Sequence, residues 1–147
     1  MIDRRFVPIL TAFLLLAPAL LSGQDAAQDF DGFYSKFKTA VSQKDTSSLT
    51  RRMSPRFDFF QARNVAHADV FKQLDAEGGK QWANLQDAIK AQPSDFPEGY
   101  FGKPARALQC TPTNVAYRCL VIFTQDSQHH WRWKAMIMPK DGQGRHR

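Results

Sequence analysis

The chain has 147 residues, with 20 Lys and Arg against 14 Asp and Glu, a formal charge of +6 and 43% hydrophobic residues. That length suits one domain with one sizeable core and excludes two such domains. The basic excess is spread along the chain rather than gathered in a block interleaved with aromatics, so it reads as solvated surface first and gives no nucleic-acid interface.

The first residues combine a short charged start, Asp3-Arg4-Arg5, with an apolar run and a small-residue exit at Ser22-Gly23. This pattern predicts a secretory signal peptide over residues 1–23, cleaved after Gly23 or, as second choice, after Ala19. The competing reading is a membrane anchor, but the run Phe6–Leu21 falls short of the roughly 20 residues of a spanning helix and contains Pro8 and Pro18. The exit resembles a bacterial lipoprotein signal in which Gln24 stands where the lipidated cysteine would be. The expected location is therefore secreted or periplasmic, with no stable membrane anchor after cleavage.

A single domain is expected over residues 24–140. Phe30, Phe33, Tyr34, Phe37, Ala40 and Val41 fall on one helical face, with Lys36, Lys38, Ser42 and Gln43 on the other. Asp45 is placed to cap a short helix carrying Leu49 and Met53, which Ser54-Pro55 ends. Arg56–Phe60 alternates and is aromatic, as a strand would be. Helical spacing returns at Val70, Phe71 and Leu74, breaks at Gly78-Gly79, and resumes through Trp82, Leu85, Ala88 and Ile89. Pro93–Pro104, with three prolines and two glycines, reads as a loop. Three extended runs follow, Ala105–Cys110, Val115–Thr124 and His129–Met138, joined by short polar connections that signal antiparallel hairpins. Residues 141–147 are expected to form a disordered tail.

Register turns these strands into faces. If Gln125–Gln128 is the loop, then Thr124 faces His129, Ile122 faces Trp131, Leu120 faces Trp133 and Arg118 faces Ala135. Leu120, Ile122, Trp131, Trp133, Ala135 and Ile137 then share the side covered by helices, while Tyr117, Cys119, Val121, Phe123, His130, Arg132, Lys134 and Met136 share a mixed side. Pairing Cys110 with Cys119 sets Leu108 against Val121 and Arg106 against Phe123, with a turn over Thr113–Ala116. Directly opposed strand residues come close to disulfide geometry, and closing so short a loop contributes roughly 2–3 kcal/mol. A disulfide is the leading reading of the pair. Free thiols and metal ligation are the alternatives, although the spacing is neither a zinc knuckle nor a CxxC redox motif.

The stretches from Phe33 to Phe60 and from Tyr117 to Met138 together resemble the nuclear transport factor 2-like superfamily. The first is similar to that superfamily's opening helix, second helix and first strand. The second is similar to its closing hairpin, with a tryptophan near the start of the last strand. The resemblance implies an α+β cone in which amphipathic helices pack on a curved antiparallel sheet around a cavity, and it allows a homodimer through the outer sheet face. It does not imply a reaction. Enzymes of the superfamily place an Asp, His or Tyr inside the cone, whereas the inner face expected here carries no titratable group, leaving Asp58, His67 and Tyr34 as catalytic candidates. Trp82, Trp131, Trp133 and Ile122 are the candidate wall of a ligand pocket, against a competing role in core packing.

These readings favour a non-catalytic ligand-binding or protein-interaction domain, with a small apolar ligand as candidate partner and no cofactor or metal. The alternative is a small lyase or isomerase acting on an apolar ligand in the cone. A weaker third reading, motivated by the net charge, is a binder of anionic surfaces.

Overall fold

The structure, a computed structural model, describes residues 29–96, 103–110 and 119–137. The expected signal peptide, the turn over Thr113–Ala116 and the expected tail lie outside the described residues. Helix α1 spans Phe30–Ser42, and Asp29 caps it by accepting from the Asp31 amide at 3.3 Å. The six apolar residues of its periodic face are all buried. The helix ends with Lys44 at φ 50°, the Asp45 amide donating to the Ala40 carbonyl and the Lys44 amide to that of Val41. This pair of hydrogen bonds is the Schellman stop, here built on a lysine where glycine is usual. Asp45 then starts α2, Thr46–Arg52, by accepting from the Ser48 amide at 3.0 Å, as its position suggested. That bond, and the Ser48 hydroxyl beside it, hold the Asp45 carboxyl below the usual carboxylate range.

The chain turns extended at Met53, so β1 is Met53–Phe59 and begins before the Ser54-Pro55 pair expected to end the helix. Helix α3, His67–Ala88, is interrupted at Ala76–Gly79, where Glu77, Gly78 and Gly79 take φ values of 53°, 69° and 78°. Two consecutive glycines permit this left-handed stretch at the predicted break. Across it the Trp82 indole donates to Asp75 at 2.7 Å and stacks on Phe71.

The remaining strands are β2 Ser94–Phe96, β3 Ala105–Cys110, β4 Cys119–Gln125 and β5 Trp131–Ile137. They form, with β1, an open five-stranded sheet in the order β1-β5-β4-β3-β2. The α+β class holds: three helices accompany one sheet. Two points differ from expectation. The sheet is mixed rather than antiparallel, because β1 pairs in parallel with β5; a long connection joins these strands, so no hairpin imposes the antiparallel sense. Part of the expected loop also pairs, with Ser94–Phe96 laid antiparallel against β3.

The disulfide joins Cys110 to Cys119 at a Cα separation of 4.8 Å, in the register inferred for Leu108 with Val121 and Arg106 with Phe123. The β4–β5 register differs from the expected one. Asp126–His130 forms a longer turn, with His129 at φ 63°, and Phe123 faces Trp133 while Ile122 faces Ala135. Lys134 is therefore the extra residue of a bulge. The faces sort anew. Trp131, Trp133 and Met136 join Leu108, Cys110, Cys119, Val121 and Phe123 in the helix-covered core. Ile122 and Ala135 join Ala107 in a smaller cluster on the other side, with Phe96, Leu120 and Ile137 packed around it. The cysteines thus share the tryptophans' face instead of lying opposite them.

Candidate functional site

The space between sheet and helices is filled by aromatic rings. Phe123 makes edge contacts with Phe30, Phe33, Tyr34 and Phe37 at centroid distances of 5.0 to 5.9 Å. Trp133 sits between Phe37 at 5.3 Å and Phe57 at 4.8 Å, and donates its indole N–H to the Ala135 carbonyl at 3.2 Å. Edge-to-face geometry of this kind packs rings at interior density. Among the described residues, no buried side-chain nitrogen or oxygen lacks a hydrogen-bond partner.

The three candidate catalytic residues are each engaged in a local structural contact. The Tyr34 hydroxyl, buried, donates towards the carbonyls of Ile89 at 3.1 Å and Ala91 at 2.8 Å, tying α1 to the end of α3. Burial pushes its pKa up to about 12. Asp58, between the buried Phe57 and Phe59, turns away from the core as alternation requires, and accepts from the Asn64 amide at 3.2 Å. His67 opens α3 with Nε2 2.9 Å from the Ser54 carbonyl. A carbonyl only accepts, so that nitrogen carries the proton and donates.

The four candidate wall residues are separated. Trp82 and Trp133 are fully buried, and Ile122 lies on the opposite side of the sheet from both Trp131 and Trp133. Trp131 alone reaches a concavity, a depression of about 200 Å³ lined by Phe33, Lys36, Arg51, Arg52, Trp131 and Arg132. None of Tyr34, Asp58 and His67 lines it.

The topology explains how this depression forms. The parallel pairing of Met53 with Trp133 brings the residues just before β1, Arg51 and Arg52, alongside the residues just before Trp133, namely Trp131 and Arg132. Phe33 and Lys36 stand one turn apart on α1 and complete the wall. Arg132 is fixed on two sides. Its Nε donates to Asp126 at 3.0 Å and its Nη1 to the Arg51 carbonyl at 2.7 Å. Asp126 also accepts from the amides of Gln128 and His130, both at 2.9 Å. Burial alone would raise the Asp126 carboxyl, but these bonds and the Arg132 charge outweigh it and hold the carboxyl below its ordinary range. The Arg52 guanidinium donates to the Ser48 carbonyl at 2.8 Å and that of Arg51 to the Ser48 hydroxyl at 3.1 Å. The Arg106 guanidinium stacks over Phe30 at 4.3 Å and lies 5.8 Å from the Trp131 ring.

Sequence reasoning missed the four cations of this wall. The signals exist, an Arg51-Arg52 pair and an arginine between two tryptophans, but they converge only through the parallel β1–β5 pairing. No protein-family model matches the chain and no curated protein matches it in sequence, so the reading of this depression rests on its own chemistry.

Proposed function

We propose that the protein is an exported, non-catalytic binding domain that engages its ligand at the surface depression rather than in an interior cone. The observation that carries this reading is the aromatic filling of the sheet–helix interior, with Trp82, Trp133, Phe33, Phe37, Phe57, Phe59 and Phe123 all fully buried. A lyase or isomerase acting on an apolar ligand needs interior room and a titratable group poised near neutrality. Tyr34, the candidate that enters the core, is committed to two carbonyls and held protonated far above neutral pH. Export is supported by the Cys110–Cys119 disulfide, since such bonds persist in oxidising compartments. Among the described residues, no helix is long and apolar enough to cross a membrane. The likeness to the nuclear transport factor 2-like superfamily belongs to the same proposal, as does a second copy pairing over Phe96, Leu120 and Ile137 on the other face.

Xenon, which enters dry apolar cavities, is the direct probe of the interior. Methyl resonances of Val41, Leu85 and Val121 should stay in place as xenon pressure rises. Saturable shifts of those methyls would reveal an interior cavity and restore the enzyme reading.

A further inference from the structure

We propose that the depression beside Trp131 is a site for a small oxyanion, a phosphate or sulfate group carried on a compact soluble molecule and held by Lys36, Arg51, Arg52 and Arg132. The inference rests on the preceding reading that binding occurs at this surface.

Charge is the first argument. Four cationic side chains from α1, α2 and β5 line one recess. Among the described residues, no carboxylate forms an ion pair with Lys36, Arg51 or Arg52. Asp126, which pairs with Arg132, already accepts two backbone amides as well. Asp126 offsets Arg132, and Asp45 acts on Arg51 and Arg52 from beyond ion-pair distance. Four cations against these two carboxylates leave the recess net positive, and like charges gathered in a concavity focus the field that draws in an anion.

Donor geometry is the second. Each arginine is anchored through part of its guanidinium only: Arg132 by Asp126 and the Arg51 carbonyl, Arg52 by the Ser48 carbonyl, Arg51 by the Ser48 hydroxyl. The remaining N–H groups form the planar forks that match tetrahedral oxyanions in a bidentate manner. The anchoring bonds orient these forks before a ligand arrives, which lowers the entropy lost on binding. Lys36, exposed and without an ion-pair partner among the described residues, adds a mobile point charge from α1.

Size and lining decide the ligand class. A volume of about 200 Å³ is below the range of roughly 300–1,000 Å³ usual for drug-sized ligands. It suits the anionic group and a short attachment rather than an extended chain. Trp131, 7% exposed, offers a small apolar edge for that attachment. A concave recess lined by arginines also fits a free anion better than a flat membrane surface, which would meet only the outermost charges.

The test uses the disulfide-bonded protein, titrated calorimetrically with inorganic phosphate and with glycerol phosphate at low ionic strength. Saturable binding is expected, with amide shifts concentrated at Trp131, Arg132 and Arg51. Lys36→Gln and Arg51→Gln should each weaken it about tenfold, as loss of one charge-assisted hydrogen bond does. Lys90→Gln removes the same charge from an exposed pair with Asp87 on the far end of α3 and should leave binding unchanged. Raising salt from about 20 to about 200 mM should weaken the wild type steeply. No heat with either anion from protein whose amide spectrum is intact overturns the proposal. So do equal losses in Lys90→Gln, or binding to phosphatidylglycerol vesicles without any response to phosphate. Release of inorganic phosphate from glycerol phosphate would overturn the non-catalytic reading alone and leave the anion site standing.

Discussion

Trp131 and Trp133 stand two residues apart on one strand and point to the same side of the sheet, yet they belong to different regions. Trp133 is wedged between Phe37 and Phe57, with its N–H satisfied by a backbone carbonyl. Trp131 packs its ring against Phe30 at 4.8 Å, while its outer side forms the wall of a recess lined by Lys36, Arg51, Arg52 and Arg132. The interior is built from rings that complete one another. The rim is built from cations that repel one another. Stability is concentrated in the first region and unused binding capacity in the second, and the same strand positions both because a period of two runs straight from core to edge.

The largest expected effect tests the interior half of that contrast. Trp133→Ala should destabilise by about 3–5 kcal/mol, the cost of an aromatic truncated inside a packed core that cannot collapse around the void. Trp131→Ala should cost less, about 2 kcal/mol, because one side of the ring already borders the recess and little new cavity forms. Urea unfolding of both variants gives the comparison directly. Equal losses, or a larger loss for Trp131, would mean that Trp131 is an ordinary core residue and the rim is not a separate region.

pH should separate the same two regions from opposite directions. Tyr34 has its folded pKa raised by burial to about 12. Its contribution is therefore complete below the unfolded tyrosine pKa near 10 and is lost as pH rises from there towards the folded value. Asp126 has a lowered folded pKa, so its contribution is present above the unfolded carboxylate value near 4 and is lost as pH falls through the lower folded one. Tyr34→Phe should flatten the alkaline limb of the stability–pH curve and leave the acid limb. Asp126→Asn should flatten the acid limb, by about 1 kcal/mol given the partial exposure of the pair. A Tyr34→Phe profile parallel to the wild type above pH 10 would show that the hydroxyl is not as deeply committed as its two carbonyl partners indicate.

Much of the helix-covered layer is legible in the sequence because its signals are local. The apolar spacing of α1, the cap at Asp45 and the break at Gly78-Gly79 each depend on residues within one or two turns. The opposed pair Cys110 and Cys119 also follows from a single hairpin register. The rim is illegible for a physical reason that can be placed on three residues. Asp126 captures the amides of Gln128 and His130, and His129 takes a left-handed φ, so the turn is longer than the four polar residues suggest. Lys134 then bulges. Because side chains alternate at every residue, the changed turn and the bulge move Ile122 and Ala135 away from the tryptophans, which keep the helix-covered side, and bring Cys119, Val121 and Phe123 onto it. The parallel contact of β1 with β5, which assembles the cations, spans most of the domain in sequence and has no local signature.

The smallest expected effect carries the sharpest distinction within the rim itself. Arg132 is tied to Asp126 and to the Arg51 carbonyl, so Arg132→Gln should destabilise the protein whether or not an anion is present. Lys36 is exposed and makes no ion pair among the described residues, so it contributes charge to the recess without bracing it. Lys36→Gln should leave stability unchanged or raise it by up to about 0.5 kcal/mol at low salt, since one repulsive neighbour is removed from three arginines. Added salt should erase the gain by screening that repulsion. Thermal unfolding at two ionic strengths measures it. A loss of stability in Lys36→Gln would assign the lysine to the scaffold. A gain that salt removes identifies a residue kept at some expense to the fold, as residues that await a ligand are.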